Sequence, residues 1–156
     1  MSIKNKGFTL IEVLITIVIM GVGLLGLAGL QVTALRNNVS AEHRSQASQL
    51  VYDLSDRMRT NTLDSSLGAA SVYVTQDPAA AAAVASCLQI AGRCGPTQLA
   101  THDIFEWNQA IETVLPSGQG TVTFLAPIFT ISVSWDDDRN GAVDANDPSL
   151  QMRFQL

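Results

Sequence analysis

Asp136-Asp-Asp-Arg-Asn-Gly-Ala-Val-Asp-Ala-Asn-Asp147 sets oxygen-bearing side chains at a spacing suited to a hard cation. Counted from Asp136, oxygen donors fall at Asp136, Asp138, Asn140, Asp144 and Asp147. Gly141 stands sixth, where a twelve-residue calcium loop needs a sharp turn, and Ala142 would add its backbone carbonyl. Calcium takes six to eight oxygen ligands, and this string can supply them. The twelfth position holds Asp rather than Glu, a shorter arm for bidentate closure. A second reading stays open: a hydrated acidic turn around Asn140-Gly141, joining two strands without a metal. Either way the role is structural, because no base or nucleophile accompanies the carboxylates. No cofactor is required, and calcium is the candidate ion.

Cys87 and Cys94 are the two cysteines, in Cys-Leu-Gln-Ile-Ala-Gly-Arg-Cys. A disulfide is expected if the chain is exported. A redox role would want a two-residue spacing, and no further Cys or His lies nearby with metal-ligand spacing. His43 falls among polar neighbours on a helical stretch, which suggests a solvated or inter-subunit face. His102 and Asp103 lie off the apolar stripe of their helix, which suggests capping or surface roles. There is no nucleophile elbow and no glycine-rich phosphate loop, so the chain is expected not to be an enzyme.

The third group is Glu12, a lone carboxylate at the mouth of an apolar run. Val13 to Leu30 supplies eighteen uncharged, mostly aliphatic residues, enough to span a bilayer as a helix. A carboxylate deep in lipid costs roughly 2.5–3.5 kcal/mol on insertion scales and therefore calls for a partner. An ordinary secretory signal has a shorter apolar core and a small-residue cleavage site after it. Val32-Thr33-Ala34 could serve as one, but the run is too long. A plain membrane anchor accounts for the length but not for Gly7-Phe-Thr-Leu-Ile-Glu12.

These groups need elements to position them. Ala47, Leu50, Val51, Leu54 and Met58 follow helical spacing with Glu42, Arg44, Gln49, Asp53, Asp56 and Arg57 opposite, and no proline precedes Pro78. One helix from about Phe8 to Thr60 is expected. The Ala-rich stretch after Asp77-Pro78 suggests a short helix from Ala79 to Leu88. A further helix from about Thr97 to Leu115, capped by Thr97, carries an apolar stripe of Ala100, Ile104, Trp107, Ile111 and Val114. Thr121–Leu125, Ile128–Trp135 and Gln151–Leu156 read as strands, the second with strict period-two alternation. The expected fold class is α+β: a long helix laid against a small antiparallel sheet with an extra helix. Both lysines, Lys4 and Lys6, precede Phe8, leaving seven arginines against fourteen acidic side chains. So acidic a chain would repel phosphate backbones, and no nucleic-acid partner is expected.

The Gly7-Phe-Thr-Leu-Ile-Glu12 string resembles the class III leader of type IV pilins and pseudopilins. Leu50-Val-Tyr-Asp-Leu-Ser-Asp-Arg-Met-Arg59, Asp103-Ile-Phe-Glu-Trp107 and Leu115-Pro-Ser-Gly118 extend the resemblance to the PilV-type minor pilins of the type IV pilus modification family. That resemblance implies a type IV pilin-like fold and cleavage by a prepilin peptidase between Gly7 and Phe8. It also implies N-methylation of Phe8 and a role for Glu12 in subunit assembly. The implied division is a leader over 1–7, a membrane or filament-core helix over 8–34, and its amphipathic half over 35–60. A variable loop with the disulfide spans 61–96, and the helix and sheet of the head span 97–156. A single-pass protein of the bacterial inner membrane is implied before assembly, and a surface pilus afterwards. The partners implied are other minor pilins, the major pilin, the assembly machinery and a pilus-tip adhesin. Absence of a proline in the apolar helix and of a C-terminal disulfide loop argues against a bulk filament subunit. Two alternatives are a minor pseudopilin of type II secretion and a tip adhesin whose 61–96 loop contacts a surface ligand.

Overall fold

The computed structural model describes residues 7, 9–89 and 93–156. Its longest element is α1, Leu10–Thr60, which matches the expected long helix closely. A compact unit begins at Ala41 and runs to Leu156, so α1 contributes its last third to that unit. There the stripe Ala47, Val51, Leu54 and Met58 is fully buried and Leu50 packs against it. The preceding stretch of α1 is different: Leu10 to Leu35 presents its aliphatic side chains to the surroundings.

After Thr60 the chain makes short turns of helix, α2 (Thr62–Ser65) and α3 (Val72–Thr75), with a 3-10 turn at Gly68–Ala70 between them. The helix expected from Ala79 to Leu88 is absent. Two 3-10 turns, Pro78–Ala80 and Ala85–Cys87, stand there, separated by extended backbone. Asp77 does cap the first, accepting from the Ala79 N–H at 3.0 Å. An alanine tract carries no apolar stripe to bury, and a helix this short does not hold itself together in water.

The next helix, α4, spans Pro96–Val114. Its N-cap position is Gly95, not Thr97, and the Gly95 N–H donates to Gln98 Oε1 at 3.1 Å. Ala100, Ile104, Trp107 and Ile111 are buried as the stripe requires; Val114 is exposed and Leu115 fills the core instead. Strands β1 (Gln119–Leu125), β2 (Ile128–Ser134) and β3 (Ser149–Phe154) form an antiparallel sheet in that order. On β2 the alternation holds: Phe129, Ile131 and Val133 are buried, and Trp135 beyond the strand continues the series. Helix α4 and the sheet meet closely at Gly120, where a Cβ would lie 2.4 Å from the Trp107 ring. The Trp107 indole N–H reaches across to the Leu50 carbonyl at 2.9 Å, tying α4 to α1.

Candidate functional site

Gly7 is non-helical and exposed, and Phe8 lies outside the described residues. Backbone N–H groups of Glu12 and Val13 donate to the Thr9 carbonyl at 3.1 and 3.3 Å, starting α1. Glu12 thus sits in the first helical turn, exposed, where a carboxylate complements the helix dipole. The apolar run that follows has a mean hydropathy of 2.6 and is unburied within the chain, and α1 is long and apolar enough to cross a membrane.

Cys87 and Cys94 form a disulfide with their Cα atoms 4.8 Å apart, as expected. It closes a loop immediately ahead of α4.

The acidic loop leaves β2 and returns to β3, and its side chains fold inward on their own backbone. Asp136, almost fully buried, accepts from the Asn140 N–H at 3.0 Å and the Gly141 N–H at 2.8 Å. Gly141, at φ +101°, supplies the turn that a side-chain-bearing residue would resist. Burial alone would raise the pKa of Asp136; those backbone donors outweigh it and hold the carboxyl below its ordinary range. Asp147 accepts from the Asp137 N–H at 3.0 Å and the Asp144 N–H at 2.8 Å, pinning the two ends of the loop together. Carboxylate oxygens of Asp136, Asp138 and Asp147 lie within 4.8 Å of one another, a spacing compatible with one hard cation between them. Asn140 Nδ2 bridges Asp138 and Asp144 at 3.3 Å each, and Asn140 Oδ1 accepts from the Ala142 N–H. The fold therefore gathers three of the six candidate ligands directly and ties Asn140, Ala142 and Asp144 to them through the loop.

His43 corrects one expectation. Its side chain is only 14 % exposed and Nδ1 lies 3.6 Å from Asp137 Oδ1, so it faces the acidic loop rather than solvent. Its ring lies between α1 and the β2–β3 connection, and at 3.6 Å Nδ1 is beyond hydrogen-bond distance of the Asp137 carboxylate.

A second charged cluster was not anticipated. Arg57 on α1 reaches Asp103 (3.1 Å) and Glu106 (2.7 Å) on α4, as well as Asp53 one turn back (3.0 Å). Burial would by itself lower the Arg57 pKa, but hydrogen bonds to Glu106 and Asp103 and the field of Asp53 raise it instead. The Arg57 hydrogen bond in turn holds Glu106 below the ordinary carboxylate range. On its other side Asp103 accepts from the Tyr73 hydroxyl at 2.5 Å, and burial together with that bond pushes the phenol well above its usual value. Asn61 Nδ2 adds bonds to the Tyr73 hydroxyl (3.3 Å) and the Pro96 carbonyl (2.8 Å). Ser71 Oγ–H donates to Asp64 at 2.7 Å, closing the turn between α2 and α3.

His102 and Asp103 are therefore not surface residues: both are buried, 6 and 7 % exposed. They belong to a clasp linking α1, α3 and α4. The sequence signal was the stacking of His102, Asp103 and Glu106 within one turn of α4, matched by the Asp53–Arg57 pair on α1. What the sequence lacked was any cue that these distant turns meet.

Residues 3–28 match the family model described as the prokaryotic N-terminal methylation motif, and residues 29–105 match the model described as type IV pilin Tt1218. The two matches are contiguous and meet inside α1. No curated protein and no solved structure matches the chain. The methylation motif implies processing by a prepilin peptidase and a place in pilus assembly, for which an apolar N-terminal helix is suited. With a long helix whose last third packs on a three-stranded antiparallel sheet, the chain belongs to the type IV pilin family.

Proposed function

We propose that the protein is a minor pilin of the PilV type that acts in type IV pilus assembly, within a priming or tip complex, without catalysing a reaction. The observation that carries this reading is the first part of α1: an apolar helix with no cover among the described residues and one carboxylate in its first turn. A surface of that size needs lipid before assembly and other helices afterwards. The peptidase cuts after Gly7 and methylates Phe8, while the cationic leader stays in the cytoplasm. The protein waits in the inner membrane and then joins other minor pilins, the major pilin and the assembly machinery. Glu12 finds its partner in the positive Phe8 amine of a neighbouring subunit, an attraction that strengthens in a low-dielectric filament core. Deleting the gene should abolish or sharply reduce surface pili while leaving type II secretion intact. Intact piliation with lost secretion would instead assign the protein to a secretion pseudopilus.

We propose as well that the acidic loop binds calcium as a structural ion, through Asp136, Asp138, Asn140, the Ala142 carbonyl, Asp144 and Asp147. The convergence of the Asp136, Asp138 and Asp147 carboxylates supports this. A cation there would join the ends of β2 and β3 and relieve repulsion among the aspartates. Binding to the folded state alone stabilises by RT ln(1 + [Ca]/Kd), about 2.7 kcal/mol at 100-fold excess over Kd. The full chain in detergent should melt several degrees higher with calcium than with chelator; identical curves would leave a self-satisfied acidic turn.

A further inference from the structure

We propose that His102 is a proton-operated latch: its neutral imidazole holds the loop segment Ala81–Cys87 against α4, and protonation releases that segment.

The geometry assigns the ring's protons. The Val84 N–H donates to His102 Nδ1 at 3.2 Å, so Nδ1 must be bare. The ring proton then sits on Nε2, which lies 3.3 Å from Glu106 Oε1. Only 8 % of the side chain is exposed, so water cannot readily replace either partner.

Between the two 3-10 turns the backbone is extended and belongs to no helix or strand. Its backbone hydrogen bonds are few. Ala81 N–H bonds back to Pro78 at 3.3 Å and Cys87 N–H to Val84 at 2.9 Å, both local. Among the described residues, the Val84–His102 hydrogen bond carries this stretch to α4, while Ala81 at its start packs against the core.

An imidazolium has donors at both nitrogens, so no rotation of the ring restores an acceptor toward Val84. Two N–H groups would then face each other across 3.2 Å, and the segment must move. The charged groups around the ring are Glu106 and Asp103 on α4; Arg57 on α1 engages both carboxylates, and the Tyr73 hydroxyl on α3 engages Asp103 as well. On the loop side, Asp77 is occupied in capping Ala79. Acidification therefore exchanges the Val84 bond for an ion pair between His102 and Glu106, which already lie 3.3 Å apart. The Cys87–Cys94 disulfide keeps the released segment tethered at the start of α4. What changes is the loop's presentation, not the fold.

The test is amide hydrogen exchange on the full chain in detergent micelles, expressed as protection factors between about pH 8 and about pH 5, the range over which imidazole charge changes. Val84 protection should fall about tenfold or more on acidification, while Ile104 and Trp107 in α4 stay protected. His102→Asn places a non-titrating oxygen near the Nδ1 position, and its Val84 protection should not depend on pH. Glu106→Gln removes a carboxylate that draws the proton in, and should move the wild-type loss to lower pH. A pH-independent Val84 in the wild type, the same fall in His102→Asn, or an unmoved midpoint in Glu106→Gln would each overturn the latch.

Discussion

The two stretches of α1 have the same backbone and opposite surroundings. From Ala41 to Thr60 the apolar residues occupy one stripe, and the stripe is buried against α4 and the sheet. From Leu10 to Leu35 apolar residues occupy every side of the helix and none is buried. An all-round apolar helix belongs in a hydrophobic medium, whereas an amphipathic one belongs at a domain surface. One helix thus serves two environments, and the pattern of side chains, not the helix itself, decides which.

That contrast breaks most visibly at the core. Trp107→Ala removes the largest side chain packed on the amphipathic stripe and its bond to the Leu50 carbonyl, and should destabilise the head by about 3–5 kcal/mol. Calorimetry or circular dichroism on the full chain would show the lowered melting transition. Replacing Arg57 with Ala leaves Asp103 buried without its cation. The guanidinium is partly exposed, so the loss should be smaller, about 2 kcal/mol, read in the same melting experiment.

The clasp and the acidic loop also set the response to acid. Glu106 and Asp136 both have folded-state pKa values held below their unfolded ones. Their contribution is present above the ordinary carboxylate range and lost as pH falls through the folded values. Stability of the head should therefore decline below about pH 4, and Arg57→Ala should flatten the Glu106 part of that decline. Smallest of all should be Leu24→Ala in the apolar stretch, which should leave the head's melting within about 0.5 kcal/mol of wild type. A large shift there would show that the two stretches are not independent.

How much of this was legible in the sequence depended on whether the signal was periodic. The stripe Ala47–Met58 and the alternation Phe129–Trp135 repeat at the period of their element, so local reading located them and their buried faces. The clasp has no period. Arg57 and Asp103 are far apart in sequence, and each alone looks like an ordinary solvated charge, so His102 and Asp103 read as surface. The alanines after Pro78 misled in the opposite direction. Their helix propensity is high, but the tract has no apolar stripe to bury and is too short to hold a helix by itself. For the acidic loop the ligand spacing was readable, while the bonds from Asn140 and Gly141 that satisfy Asp136 depend on the folded turn.

If the apolar stretch of α1 is the mature N-terminus of a pilin, the leader ahead of it must be gone from the protein in its own cells. Intact-mass and N-terminal peptide spectrometry on the protein isolated from its own cells should find a chain beginning at N-methylated Phe8, with Glu12 retained. A chain beginning at Leu35 would mean that the apolar stretch is a discarded signal, and one still carrying Met1 to Gly7 would mean an uncleaved anchor; either result would contradict the assignment.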